Sequence, residues 1–263
     1  MPELPDVETF RRRLAHTGLR RTIHRVEVRD PTMVHGVGRD RLRRALRGRE
    51  LTTTRRHGKH LFAKTDDAWL VEHFGMTGYL LLVDPDDEPP EHTRFVLHFN
   101  DGRSLALVDQ RRLGSVGLVD DPDGFIAREQ LGPDALAIDE AELRELLADR
   151  RGGLKSALMD QQLVAGIGNI YSDEILFQAR IHPSHPAGEL DAASRRRLHR
   201  RIGHVLGVAI GRQADPSRLP RSWLLRHRQD GATCPRGNGY VQRLRPRGRG
   251  TFYCPACQPS PRS

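Results

Sequence analysis

The sequence has few cysteines and no long apolar segment, and both absences narrow the classes of protein it can belong to. Three of its 263 residues are cysteine, and all three lie among the last thirty. An odd number clustered in this way is not typical of a secreted disulfide framework; it indicates a metal site or the remnant of one. No apolar run approaches the roughly 18 residues that span a bilayer, and the N-terminus lacks the features of a secretory signal. We therefore expect a cytoplasmic protein with no membrane partner.

Lysine is also scarce, although the chain is strongly basic. Lysine and arginine total 43 against 34 acidic residues, which gives a net charge of +9 and a pI near 10.2. Only Lys59, Lys64 and Lys155 are lysine. The positive charge favours a polyanionic partner such as nucleic acid, because phosphate contacts release counterions. Against an arginine background, each retained lysine is informative, since a compact ammonium is not interchangeable with a guanidinium.

The pattern of apolar residues predicts an α+β protein with a strand-rich first half and a helical second half. A helix is expected over 7–18, followed by a β-sandwich whose strands cover 22–30, 59–65, 68–74, 78–83, 93–99, 103–109 and 114–119. Segment 121–136 is rich in Asp, Pro and Gly, which predicts a linker between domains 1–120 and 137–226. Helices are expected over 139–149, 153–164, 171–179, 190–213 and 220–226, and a terminal β-hairpin module over 227–263.

The extreme N-terminus is a candidate nucleophile. Removal of Met1 would expose the secondary amine of Pro2, which can attack a sugar carbon and form an iminium that accepts electrons. Glu3 or Asp6 could then transfer protons. The alternative interpretation is that Pro2 and Pro5 only stiffen an N-terminal arm.

Three glycine-containing segments suggest contact with a phosphate backbone and with stacked bases. Gly166 to Tyr171 precedes a predicted helix, so its free amides and Asn169 could hold a phosphate. Met76 and Leu113 lie at turns between strands, where they could wedge into a base stack while Arg111 fills the space of an extruded base. The alternatives are an ordinary helix connection for the first segment and core packing for the two apolar residues.

The cysteine-containing tail resembles an incomplete zinc ribbon. Cys254 and Cys257 form a Cys-x2-Cys pair, but Cys234 is followed three residues later by Gly237, so one of four expected thiolates is missing. Either His227 supplies the fourth ligand or the hairpin stands without metal. Zinc at Cys234, Cys254 and Cys257 is therefore expected at less than full occupancy.

Taken together, these segments resemble the formamidopyrimidine-DNA glycosylase and endonuclease VIII family along the full chain, with a closer likeness to the formamidopyrimidine branch. The matching motifs are MPELPDVE at residues 1–8, LMDQQLVAGIGNIY at 158–171 and ARIHP at 179–183. The resemblance implies a monomeric, nucleoid-associated bifunctional DNA glycosylase and AP lyase of base excision repair. Its substrate would be double-stranded DNA carrying damaged bases or abasic sites.

The resemblance also assigns roles to individual positions. Pro2 would form the Schiff base, Glu3 would be the general acid, Lys59 would assist β-elimination, and Arg249 would support δ-elimination. The residues expected to hold DNA are His92, Arg111, Arg151, Lys155 and Asn169, and those expected to fill the void left by base flipping are Met76, Arg111 and Leu113.

The sequence departs from the family pattern at several places. Asp6 replaces a glutamate, Leu113 replaces a phenylalanine, and Gly237 replaces a cysteine. Segment 212–224 does not match the loop that covers the flipped base, which leaves 8-oxoguanine, formamidopyrimidine, oxidised pyrimidines and abasic sites open as the main substrate. Two alternatives from other classes are a non-catalytic damaged-DNA-binding protein on the same scaffold and a basic ribosome-associated protein.

Overall fold

The computed structural model describes residues 1–244 and 250–260. The chain forms two compact units, of which the first comprises Met1–Pro2 and Asp6–Gln130 and the second comprises Glu3–Pro5 and Leu131–Ser263. Among the described residues, no helix combines the length and apolar character that crossing a bilayer requires.

The first unit contains two four-stranded antiparallel sheets, which confirms the predicted sandwich. One sheet has the order β1-β6-β7-β5 and the other the order β2-β3-β4-β8. Their bounds are β1 Ile23–Val28, β2 Thr53–His57, β3 His60–Lys64, β4 Trp69–His73, β5 Tyr79–Val83, β6 Thr93–Phe99, β7 Ser104–Val108 and β8 Ser115–Val119.

One apolar cluster fills the space between the two sheets. Leu61 of β3, Phe95 of β6 and Leu107 of β7 are all buried in it. Helices α1 (Leu4–Thr17) and α2 (Arg39–Leu46) add Leu14 and Leu42 to the same cluster. Burial of these side chains is the main stabilising contribution to the unit, because it removes apolar surface from water.

Several elements of the first unit differ from the sequence prediction. Helix α1 begins at Leu4 rather than at residue 7, and neither α2 nor β2 was predicted. Strand β2 has the sequence TTRRH. It was not recognised as a strand because it contains no alternating apolar residues. The expected linker contains a helix, α3 (Pro122–Arg128), whose N-cap Asp121 accepts a hydrogen bond from the Gly124 amide at 2.7 Å. Asp at the N-cap followed by Pro is a helix-start signal that the turn-like composition obscured.

The second unit is mainly helical and ends in a β-hairpin. Its helices are α4 Glu140–Ala148, α5 Leu154–Met159, α6 Asn169–Ala179 and α7 Ala192–Gly211, and its hairpin strands are β9 Gln242–Leu244 and β10 Thr251–Tyr253. Buried side chains from all four helices form its core, among them Leu143, Leu158, Ile175 and Leu206.

Two predicted helices of the second unit were wrong in extent. The helix expected over 153–164 ends at Met159, where Asp160 turns the chain and accepts a hydrogen bond from the Gln162 amide at 3.0 Å. The helix expected over 220–226 is a short 3-10 turn at Leu224–His227. An Asp side chain that bonds to nearby backbone competes with helical pairing, which explains the early end of α5.

Candidate active site

The carboxylate of Glu3 is held by backbone amides at the start of α6. Its Oε2 accepts hydrogen bonds from the amides of Gly168 at 2.8 Å and Tyr171 at 3.1 Å, and its Oε1 accepts from Ile170 at 2.7 Å. The side chain is buried, with 1% of its surface exposed. The unpaired amides and dipole of a helix N-terminus favour a negative group at this place. Glu3 therefore has a single fixed orientation.

This arrangement corrects one sequence prediction. The amides of the 166–171 turn were expected to hold a phosphate, but those of Gly168, Ile170 and Tyr171 are taken by Glu3. The turn also anchors the backbone beside Glu3, because the Leu4 amide donates to the Gly166 carbonyl at 3.0 Å. The glycines serve to admit the N-terminal segment rather than to expose free amides.

Gly166 and Gly168 are required by close approach. Gly166 has φ +114°, and a Cβ atom there would lie 2.5 Å from Cδ1 of Leu4. A Cβ atom on Gly168 would lie 2.4 Å from Cδ of Glu3. A side chain at either position would displace the segment Glu3–Pro5.

Lys155 and Asn169, both predicted to hold DNA, are in direct contact. Lys155 Nζ donates to Asn169 Oδ1 at 2.8 Å and to Thr251 Oγ1 at 2.9 Å, and it forms an ion pair with Asp173 Oδ1 at 2.6 Å. Only 3% of Lys155 is exposed, and its assignment to the residues that hold DNA stays a prediction. Burial lowers the pKa of Lys155, and the neighbouring Asp173 opposes that change.

Pro2 and Lys59 belong to the first unit. Pro2 is half-buried, whereas Met1 before it is 46% exposed. Lys59 lies with Gly58 in the two-residue turn between β2 and β3, and Gly58 has φ +54°. Burial lowers the pKa of His73, and the positive charge of Lys59 lowers it further.

Two loops of the first unit carry the predicted wedge residues, and one buried carboxylate organises both. Asp109 accepts hydrogen bonds from the hydroxyl of Thr77 at 2.5 Å and from the amides of Leu113 and Gly114, both at 2.8 Å. Met76 is 41% exposed and Leu113 is 49% exposed. The alternative interpretation, in which both are core residues, is therefore wrong.

The neighbouring arginines of this loop differ in their contacts. Arg111 has an exposed side chain, and its amide donates to Thr77 Oγ1 at 3.1 Å. Arg112 has φ +56° and forms an ion pair with Asp30 at 3.3 Å. Both side chains are exposed, and the role of Arg111 in filling the space of an extruded base stays a prediction.

The remaining predicted residues occupy separate positions. His92 has φ +66°, and its Nε2 lies 3.6 Å from a carboxylate oxygen of Glu91. Arg151 is exposed, three residues before α5 begins at Leu154. Arg249 lies outside the described residues.

The three cysteines form one buried cluster that could hold a metal ion. Their sulfur atoms all lie within 4.8 Å of one another, and Cys234 Sγ is 3.6 Å from Cys257 Sγ. His227 is not part of the cluster: its Nε2 lies 3.0 Å from the Arg221 carbonyl, which corrects its candidacy as fourth ligand. No atom of the described residues lies within 4 Å of the place where a Cβ atom on Gly237 would stand. Three thiols do not complete the tetrahedral set of a structural zinc site, so these residues fit zinc only in part.

Some residues of the site were not found from the sequence. Asp109 and Asp173 are buried carboxylates, each held by several donors, and neither has a sequence motif of its own. A signal did exist for Asp109, since it directly precedes the loop that carries Arg111 and Leu113.

Comparison with known proteins shows to which family the chain is similar. Residues 1–116 match the family model described as the formamidopyrimidine-DNA glycosylase N-terminal domain, and residues 131–220 match the H2TH domain of the same glycosylase. The formamidopyrimidine-DNA glycosylase of Laribacter hongkongensis is 38% identical over 98% of this chain and 100% of its own length. That of Symbiobacterium thermophilum is 36% identical over 99% of this chain and 90% of its own.

Solved structures give the same result for the fold. The Lactococcus lactis Fpg bound to DNA containing an abasic site is 32% identical, with a TM-score of 0.88 over 98% of this chain and 100% of that one. A MutM complex with DNA containing carbocyclic 8-oxo-G is 32% identical with a TM-score of 0.89 over the same shares.

Proposed function

Because the chain belongs to the formamidopyrimidine-DNA glycosylase family and is a DNA glycosylase and AP lyase of base excision repair, we propose that it works through a Schiff base on Pro2 followed by β,δ-elimination. The observation that carries this proposal is the anchoring of Glu3 and Leu4 on the turn before α6. Pro2 directly precedes this anchored segment in the chain. The non-catalytic alternative is not favoured, because the relatives are glycosylases.

The proposed reaction begins once Met1 has been removed. The lone pair of the Pro2 nitrogen attacks C1′ of the damaged nucleotide, and the bond from C1′ to the base breaks with protonation of the leaving base. Protonation of the ring oxygen then opens the sugar and leaves an iminium between C1′ and the proline nitrogen. A tertiary iminium of this kind stays cationic and withdraws electrons from C2′.

Elimination follows from that iminium. Loss of a proton from C2′ expels the 3′ phosphate, a second elimination expels the 5′ phosphate, and water finally hydrolyses the iminium to regenerate Pro2. We assign Glu3 to proton transfer at the sugar, since its carboxyl is oriented and adjacent in sequence. Lys59 assists the first elimination and Arg249 the second, because a cation beside a departing phosphate stabilises the developing charge.

DNA is held by the cationic and polar residues named from the sequence. His92, Arg111 and Arg151 contact the backbone or the flipped nucleotide directly, whereas buried Lys155 acts through Asn169, whose side chain it orients. Met76 and Leu113 enter the stack from loops held by Asp109. Phosphate contacts of this kind set register rather than base preference.

The proposed substrate is duplex DNA with a damaged base or an abasic site. Related proteins have been solved with DNA that contains an abasic site, Fapy-dG or carbocyclic 8-oxo-G. We further propose that the protein acts as a monomer at the bacterial nucleoid in the cytoplasm, and that it carries less than one zinc ion per chain.

Trapping with borohydride tests the reaction. Reduction of the iminium should cross-link the wild-type protein to abasic duplex and to duplexes bearing a processed lesion, and Pro2→Gly should abolish the cross-link. Pro85→Gly, in an exposed loop of the first unit, is the matched control and should trap like the wild type. Wild-type protein that leaves no cross-link on any lesion of a panel would contradict the proposal.

A further inference from the structure

The carboxylate of Asp173 joins three separate segments of the second unit. It is fully buried on α6, and its Oδ1 pairs with Lys155 of α5 at 2.6 Å. Its Oδ2 accepts from the guanidinium of Arg228 at 2.9 Å and from the amide of Phe252 at 3.1 Å. Phe252 is the central residue of β10. One side chain thus connects two helices to the terminal hairpin.

Lys155 and Arg228 extend this connection along the hairpin. Lys155 Nζ donates to Thr251 Oγ1 at 2.9 Å and lies 3.4 Å from the Gly250 carbonyl. The guanidinium of Arg228 lies over the ring of Phe252, 5.0 Å from its centroid. Gly250 directly precedes β10, and Thr251 and Phe252 are its first two residues, so the chain is held at each of these three consecutive positions.

The other side of the hairpin module is also fixed by protein contacts. Gln258 donates to the Ile181 carbonyl at 2.8 Å and accepts from the Cys254 amide at 3.1 Å. Arg236 donates to the Phe177 carbonyl at 3.0 Å, and its guanidinium stacks 4.2 Å from the centroid of the Phe177 ring. These contacts join the module to both α6 and the segment after it.

Within the described part of the chain, the cysteine cluster lies in an apolar group and has no fourth metal ligand beside it. Cys234, Cys254 and Cys257 pack with Phe177, Leu224 and Val241, all of them buried. Uncharged cysteine behaves as a small apolar side chain and gains from burial of this kind. Gly237, where a ribbon would place its fourth thiolate, offers none.

We propose that the hairpin of this protein is positioned by the ion cluster of Asp173, Lys155 and Arg228 instead of by a zinc ion. Arg228 is the positioning residue whose contribution can be tested with least disturbance, since it is partly exposed while Lys155 and Asp173 are not. A buried charge that loses its partner costs free energy. The cluster therefore favours the one arrangement of the hairpin in which each of its charges is paired. Arg249, the arginine assigned to δ-elimination, directly precedes Gly250 in the chain. The cluster therefore also fixes the residue that follows this arginine.

Hydrogen exchange of the 250–258 amides tests this positioning directly, with the amides of α7 as an internal reference. Chelation of the full-length wild-type protein should leave protection of the hairpin unchanged. Arg228→Gln should lower hairpin protection by about tenfold or more while α7 stays protected. Arg196→Gln, at an exposed position of α7, is the matched control and should match the wild type.

Two further variants distinguish a positioning role from a loss of folding. Arg228→Lys retains one cation and should recover part of the protection. On abasic duplex, Arg228→Gln should shift products from δ- toward β-elimination without loss of borohydride trapping; this readout alone rests on the proposed function. The inference is overturned if chelation exposes the hairpin amides of the wild type, or if Arg228→Gln protects them as well as Arg196→Gln does.

Discussion

Gly168 and Glu3 are in direct contact, so closely that a Cβ atom on Gly168 would lie 2.4 Å from Cδ of Glu3. The carboxylate fills the space of the missing side chain and accepts a hydrogen bond from the amide of the same glycine. A glycine in the turn and an acid next to the N-terminus are therefore one structural feature, although 165 positions separate them in the chain.

Gly168→Ala should disable the enzyme while leaving it folded. The added methyl group displaces Glu3, and with it Pro2, and a misplacement of about 1 Å costs on the order of a hundredfold in rate. Single-turnover base excision measures the effect. Gly203→Ala, in α7 with open space around its Cα, is the control and should retain the wild-type rate. Equal rates for the two variants would show that the contact does not position the reacting groups.

Leu113→Phe should strengthen binding to duplexes that contain an abasic site. An aromatic ring stacks on the bases around the gap better than an aliphatic side chain does, and we expect about fivefold tighter binding, or about 1 kcal/mol. Fluorescence anisotropy with lesion-bearing and undamaged duplexes measures this difference. Leu136→Phe, at an exposed position of the second unit, should leave both affinities unchanged. Tighter binding to undamaged DNA alone would argue against a wedge.

Glu72 makes the protein less stable at alkaline pH. Its carboxyl is buried on β4 and has no hydrogen-bond partner among the described residues, and burial raises its pKa from 4.5 to about 8. The folded state therefore holds a proton that the unfolded state releases above pH 4.5. The resulting stability is fully present below that pH and is lost as the pH rises through 8.

Glu72→Gln removes this dependence, because an amide stays neutral. The variant should match the wild type near pH 5, and its advantage should grow by at most about 1.4 kcal/mol per pH unit toward alkaline conditions. Urea unfolding from pH 5 to 9 measures the difference, with Glu145→Gln on an exposed site as control. An advantage that does not change with pH would refute a buried neutral carboxyl.

Gly237→Cys should create a complete zinc site. The fourth thiolate joins three that already lie within 4.8 Å of one another, so the variant should bind one zinc ion per chain. Backbone strain works against it, since position 237 has φ +73° and a non-glycine residue there costs about 1–2 kcal/mol. Elemental analysis measures the metal. Gly231→Cys adds a thiol to the same module at φ +78° and should not raise the zinc content.

The sequence predicted those parts of the fold whose apolar pattern is regular. Strands β3 to β8 have alternating apolar and polar residues or short apolar runs. The β-sandwich predicted from them is confirmed. β2 was missed because its side chains are mostly polar, and α3 because Asp, Pro and Gly indicate a turn as readily as a capped helix. In both places tertiary context decides what local composition leaves open.

The residues of the candidate site could likewise be predicted only in part. Glu3 and Asn169 stand in recognisable motifs, and exposure of Met76 and Leu113 at loops agrees with their predicted role. The role of Asp173 could not be predicted, because its partners Lys155, Arg228 and Phe252 lie far from it in the chain. Asp109 was missed although Leu113 and Gly114 are its neighbours in the chain, and only its contact with Thr77 is distant. The helix N-terminus illustrates the difficulty: an anion site was expected there, but the anion is a side chain of the protein itself.

The identity of the protein atom that bonds to DNA tests the proposed Schiff-base mechanism most directly. After borohydride trapping on abasic duplex, proteolysis and tandem mass spectrometry should find the sugar remnant on the nitrogen of an N-terminal peptide that begins at Pro2, with Met1 absent. An adduct on Lys59 or another side chain, or trapping by protein whose Met1 is retained, would contradict it.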